Sequence, residues 1–148
     1  GNYAYCIEEL SGTIEAYGYK NGKLSCLQRV TTHPKDLEKG FESADIHFSP
    51  DGKFLYASNR GGENNIAIFS VLDNGLIEHQ GYQSTLGLHP RIFAIDESGK
   101  FLIVANVNTG NLVVFKRDLK TGLMKKVSEV AGLKNPSCVK IWKYSERK

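Results

Sequence analysis

The sequence predicts an all-β chain assembled from repeated four-stranded antiparallel units. Three observations carry that expectation. Residues 44–59 return in pattern as residues 91–106, so that Gly52 and Gly99, Phe54 and Phe101, and Asn59 and Asn106 each stand 47 residues apart. A period of this size, filled with strand-like runs, marks a repeat architecture. Second, the segments between breakers are short, rich in Val, Ile, Phe and Tyr, and without helical period. Third, pairs such as Asn21-Gly22 and Thr121-Gly122, and the run Asp73-Asn74-Gly75, stand where hairpins are needed.

In chain order, the first unit begins with a strand from Asn2 to Ile7, continues through Thr13 to Tyr19, turns at Asn21-Gly22 and runs from Lys23 to Val30. The second unit reads as strands near 44–48, 53–59, 65–72 and 76–83. The first two are joined by the tight-turn composition Ser49-Pro50-Asp51-Gly52. The third unit repeats the scheme at 91–95, 100–106, 111–117 and 123–130. Aligning Tyr3-Ala4-Tyr5-Cys6 with Phe54-Leu55-Tyr56-Ala57 shows that the first unit lacks its opening strand. Asn135-Pro136 through Trp142 resembles the start of a fourth unit and is expected to form one strand. The units therefore span 2–31, 43–83 and 90–130, with a lone strand at 136–142.

Four-stranded antiparallel units of this length are the blades of a β-propeller. Seven blades at this period need about 330 residues, so the 148 present supply about three blades. The two incomplete ends point to the C-terminal part of a longer propeller. Its open blade faces are expected to be covered by the N-terminal blades or by self-association.

The bulk numbers exclude several function classes. A net charge of +3 without a block of like charges argues against a nucleic-acid partner; Lys125-Lys126 and Arg147-Lys148 are isolated pairs. No apolar run reaches transmembrane length, so no membrane partner is expected. Cys6, Cys26 and Cys138 are odd in number and widely spaced. They predict small buried hydrophobes in a reducing, cytoplasmic setting rather than a disulfide framework or a zinc site.

Function is sought where the repeat breaks. The end of the second strand and the start of the first meet on one face near the propeller axis. The first slot holds Glu9, Arg60 and Val107 in the three units; the other holds Ala44, Arg91 and Ser137. Three charges on one rim suit a polar pocket: guanidinium groups fork onto phosphate, carboxylate or oxyanion, and a carboxylate between them can orient or deprotonate a water. Strand-end charges taken singly are more simply solvated surface. His47 shares a strand face with Asp45; hydrogen-bonded packing is its simpler reading, and it is carried as a candidate substrate contact beside Arg91. His33, His79 and His89 form no metal-ligand spacing, and no Gly-x-Ser-x-Gly elbow or phosphate loop occurs.

At Ala44 to Arg60, with Pro90-Arg91 following and Cys6 to Leu10 preceding, the sequence resembles the lactonase family of seven-bladed propellers. This is the family of bacterial 6-phosphogluconolactonases and fungal carboxy-muconate lactonizing enzymes. The likeness runs from Tyr3 to Ile141. The Gly-His and Trp-Asp pairs of a WD40 blade are missing.

The resemblance implies seven blades and a lactone-directed site at the central mouth, using a histidine, two arginines and a glutamate, with no metal or cofactor. Glu9 matches the family's glutamate and Arg60 its later arginine. The family's histidine and first arginine come from blades upstream of Gly1, at the slot Arg91 occupies here. The parent protein is thus expected to hydrolyse an anionic or phosphorylated sugar lactone such as 6-phosphogluconolactone, in the pentose phosphate route, and this segment alone to be inactive. Two alternatives stay open: a lactonizing enzyme, and a non-catalytic propeller serving as a ligand- or protein-binding platform.

Overall fold

A computed structural model describes residues 2–35 and 42–142. The described residues hold eleven strands in three antiparallel sheets, each ordered as in the sequence. The first sheet is β1 (Tyr3–Glu8), β2 (Thr13–Lys20) and β3 (Lys23–Thr31). The second is β4 (Ser43–Phe48), β5 (Phe54–Asn59), β6 (Asn65–Val71) and β7 (Ile77–Ser84). The third is β8 (Pro90–Ile95), β9 (Phe101–Asn106), β10 (Asn111–Arg117) and β11 (Met124–Val130). These are the three-, four- and four-stranded blades that the repeat predicts.

Local chemistry explains the turns. Asn21 and Gly22 both take positive φ, at 50° and 75°, which a two-residue hairpin turn matched to strand twist requires. The turns after β4 and β8 are the same device with different side chains. Ser49 Oγ accepts from Phe54 N at 3.0 Å, and Asp96 Oδ1 accepts from Phe101 N at 2.8 Å.

The blades stack face to face. Phe54, Tyr56, Ile66 and Ile68 of the second sheet pack with Phe93, Leu102, Val104, Val113 and Phe115 of the third. The opposite face of the second sheet, with Leu55, Ala57, Ala67 and Phe69, packs on Ile14 of the first. Every residue of β5 is therefore buried, and its apolar run is nearly continuous rather than alternating. Repeat-related tyrosines tie neighbouring blades together. Tyr5 donates to Gly75 O at 2.7 Å and Tyr56 to Gly122 O at 2.8 Å. Arg117 Nε donates to Tyr56 Oη at 2.7 Å, with the guanidinium 4.9 Å from that ring's centre. Burial raises the Tyr56 phenol above its ordinary pKa, and Arg117 offsets only part of the effect.

Asp45 joins the inner strands of two blades. Its Oδ2 accepts from Phe93 N on β8 at 3.0 Å and pairs with His47 Nε2 at 3.0 Å. Burial opposes ionisation of this carboxyl, but the hydrogen bonds from His47 and Phe93 N outweigh it and hold the pKa below the ordinary value. A carboxyl with a lowered folded-state pKa binds fewer protons folded than unfolded, so its stabilisation is present above the unfolded pKa of about 4 and disappears as pH falls through the folded value. Asp45→Asn should lower Tm at pH 7 and flatten the fall of Tm below pH about 4. Thermal melts across pH check this; an unchanged acid slope would exclude the linkage.

Two expectations are corrected. Residues 136–142 lie in no hydrogen-bonded ladder, so the expected strand of a fourth unit is not formed among the described residues. A strand needs a neighbour to take its backbone donors and acceptors, and the described residues offer this segment none. Cys6, Cys26 and Cys138 are exposed, not buried. The first two lie on the outermost sheet and the third in the unpaired C-terminal segment, so no core encloses them. Arg147 and Lys148 lie outside the described residues.

Candidate active site

The chain leaves β1 at Glu8 and turns through residues 9–12. Strand alternation separates the adjacent glutamates. Glu8 turns to the outer side, where hydrogen bonds from Ser11, Thr13 and Arg29 pull its carboxyl down to about 2. Glu9 turns inward and pairs with Arg60 Nη2. Backbone bonds fix this corner: Ser43 N donates to Glu9 O at 2.9 Å and Arg60 N donates to Glu42 O at 2.6 Å.

Arg60 follows β5, and its side chain is 8% exposed against 62% for Glu9. The carboxylate thus reaches solvent while the cation behind it is held. Arg60 Nη2 also donates to Ser43 O at 3.3 Å, and Nη1 lies 3.3 Å from His89 Nε2. To accept from a guanidinium, that nitrogen must be the unprotonated one of the ring. Glu42 places a carboxylate oxygen 3.9 Å from Arg60 Nε.

Glu9, Arg60 and Arg91 come from three different sheets and line one cleft of about 300 Å³ with Ile7, Ser43 and Ala44. That volume lies at the small end of small-molecule sites, roughly 300–1,000 Å³. Arg91 reaches the cleft through a bulge: Pro90 pairs with Asn106 and Ile92 with Ala105, leaving Arg91 as the extra residue. The matching strand carries the same irregularity between Ser43 and Ile46. Bulges re-aim side chains and occur often beside active sites.

Of the four candidate residues, Glu9, Arg60 and Arg91 are brought together. His47 is placed elsewhere: it bonds Asp45, its ring meets Phe93 edge-on with centroids 4.9 Å apart, and it does not line the cleft. Ala44 is in the lining, whereas Val107 and Ser137 are not. Inspection of the repeat missed His89, Glu42 and Ser43. The pair His89-Pro90 beside Arg91 was the available signal for the first; the other two act mainly through backbone position, which leaves no residue-type signature. Two wider grooves, about 750 Å³ along Asn2–Ser25 and about 870 Å³ along Lys116–Val127, run over the outermost sheets; the second sets Asp118 among Lys116, Arg117, Lys120 and Lys125, all from one blade. Among the described residues, no group of three His, Cys, Asp or Glu side chains could hold a metal ion.

Comparison with known proteins identifies the family of the fold. The family model "Lactonase, 7-bladed beta-propeller" matches residues 1–141. A 6-phosphogluconolactonase of Formosa agariphila is 46% identical over 147 residues, covering 98% of this chain and 41% of the relative. The periplasmic gluconolactonase of Pseudomonas aeruginosa superposes with a TM-score of 0.89 at 34% identity, over 93% of this chain and 39% of its own. A provisional 6-phosphogluconolactonase of Bacteroides fragilis gives 0.86 at 41% identity, over 93% of this chain and 38% of its own. The chain thus spans about two-fifths of the length of these relatives.

Proposed function

We propose a part in sugar-lactone hydrolysis for this chain, which belongs to the family of seven-bladed β-propeller lactonases. The observation that carries the reading is the convergence of Glu9, Arg60 and Arg91 from three blades on one small polar cleft. In the proposed reaction, a water held by the exposed Glu9 carboxylate attacks the lactone carbonyl carbon. Glu9 takes its proton as the new C–O bond forms. Arg60, already oriented and largely buried, faces the developing oxyanion, where a preorganised cation stabilises charge most. Collapse breaks the bond to the ring oxygen, which receives the proton, and the product is the hydroxy acid. One water is consumed and no redox change occurs.

The Arg91 side chain lines the cleft beside the paired Glu9 and Arg60, which suits a second cation facing an anionic group on the substrate. The relatives' names cover phosphorylated and unphosphorylated sugar lactones, so the phosphate is what needs testing. The full-length protein should be assayed on 6-phosphogluconolactone and gluconolactone, above spontaneous hydrolysis. Preference for the phosphorylated lactone is expected, and Arg91→Ala should raise KM for it by about 10-fold with little change for the neutral lactone. Equal turnover of both lactones would remove the phosphate from the proposal; turnover of neither would remove the hydrolase.

A further inference from the structure

We infer that Ser43, His33 and Glu63 form a buried positioning chain that holds Arg60 and Glu9 in their cleft geometry. The inference rests on the lactonase reading only for its kinetic readout.

The repeat separates this chain from the scaffold. Each of two blades closes its rim with a threonine and an asparagine. Thr32 Oγ1 donates toward Gly12 O at 3.0 Å and Asn59 Nδ2 to Thr32 O at 2.7 Å. In the next blade Thr85 Oγ1 donates to Asn64 O at 2.8 Å and Asn106 Nδ2 to Thr85 O at 3.0 Å. That pair is common to both blades, but in the second Asn106 Oδ1 is left buried without a partner, where Asn59 Oδ1 accepts from Ser43. The residue facing the asparagine differs: Ser43 pairs with Asn59, whereas Pro90 pairs with Asn106. Among the described residues, the rim at Asn59 alone adds a connected hydroxyl, imidazole and carboxylate.

Their connections lead to the site. The Ser43 hydroxyl donates to Asn59 Oδ1 at 3.0 Å and lies 3.4 Å from His33 Nε2. His33 is 1% exposed, and its Nδ1 is bonded to Glu63 Oε2. Glu63 belongs to the same loop as Arg60, so the chain closes a ring from that loop back to Ser43. The backbone of Ser43 holds both members of the site pair: its N–H donates to Glu9 O and its carbonyl accepts from Arg60 Nη2. A bulge follows directly, where register would otherwise be loose.

Burying an imidazole against a carboxylate is costly, and the described residues of the sister rim hold no buried pair of that kind; its Asn111 donates instead to the partly exposed Glu129. The presence of His33 and Glu63 at the cleft alone is explained by what they hold. Ser43 is fully buried with its hydroxyl engaged, so the Ser–His–Glu order is not a nucleophilic triad: an attacking oxygen needs an open approach.

The test uses the full-length protein and reads the Arg60 Nε–H resonance by NMR together with kcat and KM for lactone hydrolysis. Ser43→Ala and Glu63→Gln should each shift and broaden that resonance and lower kcat by about 10²-fold, as a small misplacement of a catalytic group does. Ser43→Thr should restore both. Phe115→Leu, a core change on a strand that contributes no residue to the cleft, should lower Tm and leave the Arg60 resonance unaltered. An Arg60 resonance unmoved in Ser43→Ala and Glu63→Gln overturns the inference whatever the kinetics. If the unsubstituted protein opens no lactone, the hydrolase reading fails and the resonance alone judges the chain. Should Ser43→Ala not fold, Glu63→Gln, at the end of the chain remote from Ser43, decides.

Discussion

Glu9→Gln in the full-length protein should lower kcat for lactone opening by about 10²–10⁴-fold, the range for a lost general base. KM should change little, because the amide keeps the carboxylate's shape and can still accept from Arg60. Arg60→Ala should cost about 10²–10³-fold, the range for a lost oxyanion partner, and should raise KM as well if the same guanidinium helps seat the substrate. Neither loss should come from unfolding. Glu9 is mostly exposed, and Arg60 closes the rim rather than filling a core cluster. Steady-state rates beside a thermal melt check both points. A variant with unchanged Tm and undiminished rate would exclude its residue from the chemistry. The double variant should lose little more than the worse single one, since residues acting as a unit are not additive.

Phe93→Ala should lower stability by about 3–5 kcal/mol, a large aromatic truncation in a packed core. Phe93 is 1% exposed, sits in the cluster joining two blades, and carries the backbone N–H that Asp45 accepts. Tm should fall by about 6–20 °C for a chain of this size. The loss should also reach the cleft, because Arg91 is two residues earlier on the same strand and is aimed by a bulge that the packing of β8 holds in register. Phe93→Leu, which keeps most of the volume, should lose much less. Calorimetry on both variants decides; equal melting temperatures would mean that the inter-blade cluster is not what joins the blades.

The candidate site was legible only in part, and the misses have physical causes. Glu9, Arg60 and Arg91 stood out because they break a pattern that their neighbours keep. His47 also looked functional, since a histidine in a strand carries chemistry by residue type; in the fold its imidazole is committed to Asp45 and Phe93. Ser43 could not be read as a site residue, because its contacts with Glu9 and Arg60 run through backbone atoms that every residue possesses. His33 and Glu63 are 30 residues apart and meet only after two blades pack. The cysteines were misjudged because burial depends on which sheet faces are covered, and theirs lie on the outermost sheet or beyond the last one.

The sequence by itself determined the repeat, the strand order, the hairpins and the three charges that depart from the pattern. These follow from nearest-neighbour chemistry and a period of 47 residues, which are properties of the chain read in one dimension. Only the tertiary structure decided that the charges share one cleft, that Arg60 is held from four directions, and that Arg91 turns inward at a bulge. Those outcomes depend on the stacking of separate sheets and on a one-residue shift in register. A single extra residue in a strand reverses which face a side chain meets, and no local preference encodes that choice.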